Sequence, residues 1–126
     1  CSMPQTGKMN FQIMKGCMEI GMGIHGEPGI DTIPLESADA VVDRLLNPII
    51  FELALKAGDK VCVLVNGLGS TTLMELYILY RRVAETSNDL DIHIHNSWVG
   101  EYCTSLEMGG ASISIIKLDD DMSVVI

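Results

Sequence analysis

The stretch Lys60-Val61-Cys62-Val63-Leu64-Val65-Asn66-Gly67-Leu68-Gly69-Ser70-Thr71-Thr72 reads as a strand, a turn and the start of a helix. Lys60–Val65 is a continuous Val/Cys/Leu run, which suits a strand covered on both faces rather than one with a wet side. Gly58-Asp59 turns the chain into it, and the glycines and hydroxyls of Asn66–Thr71 end it. Thr72 and Glu75 then stand at the spacing of a capping box, in which each side chain satisfies a backbone amide of the other. Leu73, Leu76, Tyr77, Tyr80, Val83 and Ala84 follow at helical spacing, so a helix is predicted from Thr72 to about Glu85. A buried strand feeding directly into a helix is the unit of an α/β fold.

Upstream, Ser37 offers an N-cap, Asp39 suits the positive end of a helix dipole, and Val41, Val42, Leu45 and Leu46 recur at helical spacing. Asn47-Pro48 should kink or end this first helix, with Ile49–Leu55 forming a second set of turns. Earlier still, Met18, Ile20, Met22 and Ile24 alternate with small or polar residues, predicting a strand that ends at His25. Gly26, Pro28 and Gly29 make a tight turn after it, followed by a connector to Glu36. Residues 1–17 read as an irregular lead-in with a short strand at Met9–Met14.

Downstream, Ser87-Asn88-Asp89 should break the second helix. Ile92 and Ile94 alternate with His93 and His95 as a half-exposed strand, and Val99–Tyr102 continues the chain past Trp98. After Gly109-Gly110, residues 112–118 predict a last strand, ended by Asp119-Asp120-Asp121. The order predicts an α/β fold, a layered sandwich with a mixed β-sheet flanked by helices, in a single domain over 1–126. Its expected core is Val61, Val63, Val65, Leu73, Leu76, Ile113 and Ile115.

At 126 residues, 48% of them apolar, the chain is long enough to bury a core without staples. No run approaches the roughly 20 apolar residues that a membrane-spanning helix requires. A net charge of −9, from 17 acids against 8 bases, leaves no basic face for phosphates, which argues against nucleic acid and anionic membrane as partners. Cys1, Cys17, Cys62 and Cys103 form no CxxC pair, and Cys62 lies in the apolar strand, so free thiols of a reducing cytoplasm are expected. No signal peptide is visible, and an opening on Cys1-Ser2 without an initiator Met reads as a piece of a longer chain.

Several motifs carry a chemical reading beside a plainer one. The strand-NGLGSTT-helix junction has the look of a phosphate cradle, yet it lacks the P-loop ending and the dinucleotide fingerprint, and a tight strand-to-helix connection is the better reading. His93 and His95 on one strand face offer two zinc ligands but no third, so no metal site is expected. Asp119–Asp121 reads as a solvated strand end before it reads as a hard-cation site, and nothing in the sequence stabilises a thiolate at Cys103. His25 differs in its frame, between an apolar strand and a glycine-proline turn, with Glu27 in reach to orient or charge the ring. Spacing leaves His25 open between a structural and a reactive role.

Glu19-Ile20-Gly21-Met22-Gly23-Ile24-His25-Gly26-Glu27-Pro28-Gly29-Ile30-Asp31 resembles the strand and loop that carry the substrate histidine in the dihydroxyacetone-binding (K) subunit of dihydroxyacetone kinases. Cys1-Ser2-Met3-Pro4 with Gly7-Lys8 is similar to that family's lead-in. Val63-Leu64-Val65-Asn66-Gly67-Leu68-Gly69 with Glu75-Leu76-Tyr77 is similar to its central strand and helix, and Gly100-Glu101-Tyr102-Cys103-Thr104-Ser105-Leu106-Glu107-Met108 to its late loop.

The resemblance implies that His25 is catalytic and binds substrate: a ring nitrogen adds to the C2 carbonyl of dihydroxyacetone and holds it as a covalent hemiaminal, with Gly26 and Glu27 in the same substrate loop. Addition needs a neutral imidazole, and an unperturbed histidine, with a pKa of about 6.5, is mostly neutral near pH 7. Glycerol has no carbonyl and is excluded by chemistry. A tethered ketone presents a terminal hydroxyl for phosphoryl transfer, where positioning supplies most of the catalysis. The resemblance further implies no cofactor in this chain: ATP, or ADP in a phosphotransferase-system relay, sits with magnesium on a separate donor domain or L subunit. The implied partners are dihydroxyacetone, an earlier domain of the same subunit that carries an acid/base aspartate, the nucleotide-binding L subunit and a second copy in a homodimer. The implied setting is cytoplasmic glycerol metabolism, and this piece alone is expected to lack kinase activity. The alternative is a non-catalytic paralogue that senses dihydroxyacetone as a transcriptional coactivator.

Overall fold

In the computed structural model, which describes residues 12–23, 25 and 27–125, the chain divides between Ser37 and Ala38 into two units. In the first, β1 (Cys17–Ile20) pairs antiparallel with β2 (Asp31–Pro34), Met18 lying opposite Ile33 and Ile20 opposite Asp31. The alternating stretch therefore stops short of the strand end expected at His25, because Gly21, at φ 76°, leaves the extended backbone. Its partner strand lies inside the expected connector, where Thr32 and Ile33 supply β-branched side chains. Ile24 and Gly26 fall outside the described residues, as does most of the expected Met9–Met14 strand, and residues 12–14 form none.

The second unit runs α1 (Ala38–Glu52), β3 (Lys60–Gly67), α2 (Leu73–Asp89), β4 (His93–Gly100), β5 (Ala111–Leu118) and α3 (Asp120–Val125). Its sheet has the order β4-β3-β5, with β3 parallel to β4 across α2 and antiparallel to β5. This is the mixed sheet with helices that the strand-helix order predicts. On one face Val61, Val63 and Val65 pack with Val42 and Leu46 of α1 and with Leu76 and Val83 of α2, all of them buried. On the other face Cys62, Leu64, Trp98, Ser114 and Ile116 line a shallow apolar groove.

Three features differ from the sequence reading, two because burial outweighs a local breaker and the third because a side chain caps a new helix. Pro48 lies inside α1 rather than ending it: Val42, Leu46 and Ile50 fall on one stripe against the core, and this packing offsets the lost N–H. Ser87-Asn88-Asp89 does not break α2, since Ser87 sits one turn beyond Val83 and is itself buried, its carbonyl accepting Ile92 N–H at 2.8 Å. The acidic run after β5 opens a short helix, with Asp119 Oδ1 accepting Met122 N–H at 2.7 Å. Leu73, expected in the core, is 55% exposed at the start of α2, whereas Ile113 and Ile115 are partly buried against the core.

Two ion-paired arginines tie α2 to α1. Arg82 reaches Asp43 through Nε and Nη2, each at 3.0 Å, and Arg81 pairs with Asp39 and with Glu85 one turn along. The Arg82 hydrogen bonds hold the Asp43 carboxyl below its ordinary 3.8.

Candidate functional site

Between β1 and β2 the chain makes an excursion from Gly21 to Ile30 that presents His25. Its base is closed where Ile30 N–H donates to Ile20 O at 2.6 Å and Gly29 N–H to the Glu19 carboxylate at 2.6 Å. Nearer the tip, Gly23 N–H donates to Glu27 O at 3.1 Å. The Glu27 side chain folds back into this inner turn: Oε2 accepts His25 N–H at 3.0 Å, and Oε1 lies 3.5 Å from His25 Nδ1. The imidazole itself is 85% exposed. A histidine with one ring nitrogen beside a carboxylate and the other turned from it is equipped for addition to a carbonyl. Of the residues expected in this site, the structure brings His25 and Glu27 together, and Gly26 lies outside the described residues.

A second cluster lies at the carboxyl ends of the parallel strands β3 and β4, where α/β folds commonly place ligands. Asn66, 3% exposed, joins three segments through one amide. Its Nδ2 donates to Cys103 O at 2.7 Å and to Ser112 Oγ at 3.3 Å, and its Oδ1 accepts Tyr102 N–H at 2.8 Å and Cys103 N–H at 2.9 Å. Ser105 Oγ donates to Leu68 O at 2.6 Å and accepts Met108 N–H at 3.0 Å, and Ser70 Oγ donates to Glu107 O. Gly69, at φ 122°, approaches the 105–107 backbone so closely that a Cβ would meet Ser105 O at 2.8 Å and Glu107 N at 2.9 Å.

The NGLGSTT segment is therefore zipped to the late loop, as a tight connection rather than an anion cradle. The α2 N-terminus is closed by its own capping box: Thr72 Oγ1 accepts Glu75 N–H at 3.3 Å and Glu75 Oε2 accepts Thr72 N–H at 2.8 Å. Hydrogen bonding from the Thr72 backbone pulls the Glu75 carboxyl below its ordinary value, so the helix end already holds an anion. Sequence reasoning missed the part played by Asn66. Its signal was a polar residue directly continuing a strand buried on both faces, where an amide must find partners.

His93 and His95 are not brought together on one strand face. The strand pairing puts Ile94 opposite Val61 and Asn96 opposite Cys62, so a bulge at His95 interrupts the alternation that would have set the two rings on one face. Among the described residues no three His, Cys, Asp or Glu side chains are placed to hold a metal ion. Among them, too, Cys17, Cys62 and Cys103 are free thiols, and no helix is long and apolar enough to cross a membrane.

A family model described as the Dak1 domain matches residues 1–126. The chain belongs to the Dak1 family. Within it, the chain is 49% identical over 121 residues to a "PTS-dependent dihydroxyacetone kinase 2, dihydroxyacetone-binding subunit DhaK" of Listeria innocua, covering 96% of this chain and 37% of that protein. It is 36% identical over 145 residues to a "PEP-dependent dihydroxyacetone kinase, dihydroxyacetone-binding subunit DhaK" of Escherichia coli, covering 96% of this chain and 41% of that one. Among solved structures it resembles a "Dihydroxyacetone kinase operon co-activator Dha-DhaQ" with TM-score 0.87 and 31% identity, over 98% of this chain and 38% of that one. It also resembles the dihydroxyacetone kinase of C. freundii in complex with AMP-PNP and Mg2+, with TM-score 0.78 and 26% identity, over 98% of this chain and 23% of that one. The chain thus spans about two fifths of the length of these two curated relatives.

Proposed function

We propose that this Dak1 chain is the substrate-histidine part of a dihydroxyacetone kinase subunit, in which His25 captures dihydroxyacetone as a covalent hemiaminal and presents its terminal hydroxyl for phosphorylation. The observation that carries this reading is the His25 ring, 85% exposed on an excursion closed at its base and at its inner turn and facing a carboxylate with one nitrogen. The 49% identity to a dihydroxyacetone-binding subunit supports the same substrate class. Dihydroxyacetone phosphate then arises by transfer from a donor carried elsewhere, with nucleotide and magnesium on a separate domain or L-type subunit. An earlier domain of the same subunit completes the substrate site, and the assembly works as a cytoplasmic homodimer.

The test is a crystal of the complete subunit soaked with dihydroxyacetone. Continuous density from His25 to a three-carbon ligand is the expected result, and an empty loop, or ligand held away from the ring, overturns the reading. With donor subunit supplied, the 126-residue chain by itself should yield no dihydroxyacetone phosphate.

The likeness to a co-activator at TM-score 0.87 favours a second reading, a non-catalytic sensor of dihydroxyacetone. The complete protein separates the two: turnover with the donor subunit supports the enzyme, and capture without turnover supports the sensor. Identity at 49% to a kinase subunit, against 31% to the co-activator, supports the enzyme reading.

A further inference from the structure

We infer that Glu27, seated in a slot that only a glycine at position 23 leaves open, sets the tautomer of His25 and so selects Nε2 as the ring nitrogen that attacks a carbonyl. The inference rests on the proposed capture of dihydroxyacetone for its chemical consequence, but its structural part stands on geometry alone.

The Glu27 carboxylate makes two contacts with the same residue, accepting His25 N–H through Oε2 at 3.0 Å and facing Nδ1 with Oε1 at 3.5 Å. The first contact anchors the carboxylate to the backbone that carries the ring. The second puts a negative oxygen beside one of the two ring nitrogens. A carboxylate beside Nδ1 favours the proton there, which leaves the Nε2 lone pair free. The anchoring depends on Gly23: a Cβ built on it would run into the Glu27 carboxylate, its Cδ at 2.8 Å and its Cβ at 2.9 Å. The Cδ contact is with the far end of a flexible side chain that can rotate away, whereas relieving the Cβ contact also takes a small shift of the Glu27 backbone, so an alanine there displaces the carboxylate from its seat. Gly23 N–H donating to Glu27 O at 3.1 Å fixes the two residues against each other from the backbone side as well.

The chemistry then balances. The Nε2 lone pair forms the C–N bond, the carbonyl π pair moves to oxygen, and the oxygen takes a proton from water. The ring, briefly an imidazolium, releases its Nδ1 proton to the Glu27 carboxylate and on to water, so the neutral hemiaminal forms with no net change in protons. Glu27 is in this account a positioning residue that also stabilises the transient positive ring. With the proton on Nε2 instead, the reactive pair would be on Nδ1, next to the carboxylate and crowded by it.

The experiment is 15N NMR of the His25 imidazole in the complete subunit, without ligand, at alkaline pH, where imidazoles are neutral. The wild type should show mainly the Nδ1–H tautomer, and Glu27→Gln and Gly23→Ala should each shift the population toward Nε2–H. Melting measured alongside should be unchanged in Glu27→Gln, a substitution at an exposed side chain. Dihydroxyacetone is then added, and capture should slow by about ten- to a hundredfold in both variants, the range seen when the outer partner of a metal-ligating histidine is removed. A wild-type ring that is mainly Nε2–H, or a tautomer ratio unmoved by Glu27→Gln, overturns the inference whatever dihydroxyacetone does. If instead the tautomers shift as expected and no wild-type adduct forms, the inference about Glu27 holds and it is the dihydroxyacetone reading that falls.

Discussion

The His25 excursion and the Asn66 junction are both loops at strand ends, and they spend their polar groups in opposite ways. Asn66 is 3% exposed and uses both ends of its amide on protein partners, so the three segments it joins have little freedom relative to one another. His25 is 85% exposed, and among the described residues its backbone N–H and the Nδ1 side of its ring face Glu27 in its own loop. A buried amide with every site filled contributes stability and no chemistry. On the proposed reading, a ring held at its root with one nitrogen open contributes chemistry and little stability. The lesson is that in this chain the more heavily bonded loop is scaffold, although its glycines and hydroxyls look more like a ligand site in the sequence.

Substitutions can break or sharpen that contrast. The largest effect is expected from His25→Ala, which should abolish capture of dihydroxyacetone while leaving thermal melting where it was; an adduct in this variant, read by crystal density, would place the nucleophile elsewhere. Asn66→Ala should do the reverse and lower stability by about 3 kcal/mol in denaturant unfolding, since it strands the Tyr102 and Cys103 amides and the Cys103 carbonyl in a partly buried junction. A loss near zero would mean that water replaces the amide freely and that the junction is not scaffold. Gly69→Ala should cost about 2 kcal/mol, because a Cβ would meet backbone at 2.8 Å and the residue sits at φ 122°.

The smallest effect is electrostatic and lies away from both loops. Asp43 has its carboxyl lowered from 3.8 by the Arg82 hydrogen bonds, so its contribution is fully present above that ordinary value and is lost as pH falls through the lowered one. The stability difference between wild type and Asp43→Asn should therefore be flat from neutral pH down to about pH 4 and shrink below it. A difference that grew on acidification would reverse the sign argued here.

Much of the scaffold was legible because its signals are local and agree with one another. Lys60–Val65 has no polar face, Thr72 and Glu75 stand at capping spacing, and Leu76 and Val83 share a stripe, so strand, connection and helix follow from neighbours in the chain. The Glu27–His25 pair was legible for the same reason, two residues apart on a loop shaped by glycine and proline. Where the reading went astray, a distant partner had overruled a local breaker, as at Pro48 and at Ser87, or had supplied a strand too short to announce itself, as at Asp31–Pro34.

By itself, then, the sequence determined the α/β alternation, the central buried strand and the histidine with its neighbouring acid, since each depends on periodicity or on contacts within a few residues. Tertiary structure alone decided that the polar residue ending that strand would lock two loops together, that the glycine after it would serve backbone contact and not an anion, and that the carboxylate would fold back over Gly23 to face one ring nitrogen. Those outcomes depend on which atoms meet across tens of residues or inside a closed turn, and residue type and spacing do not encode that meeting.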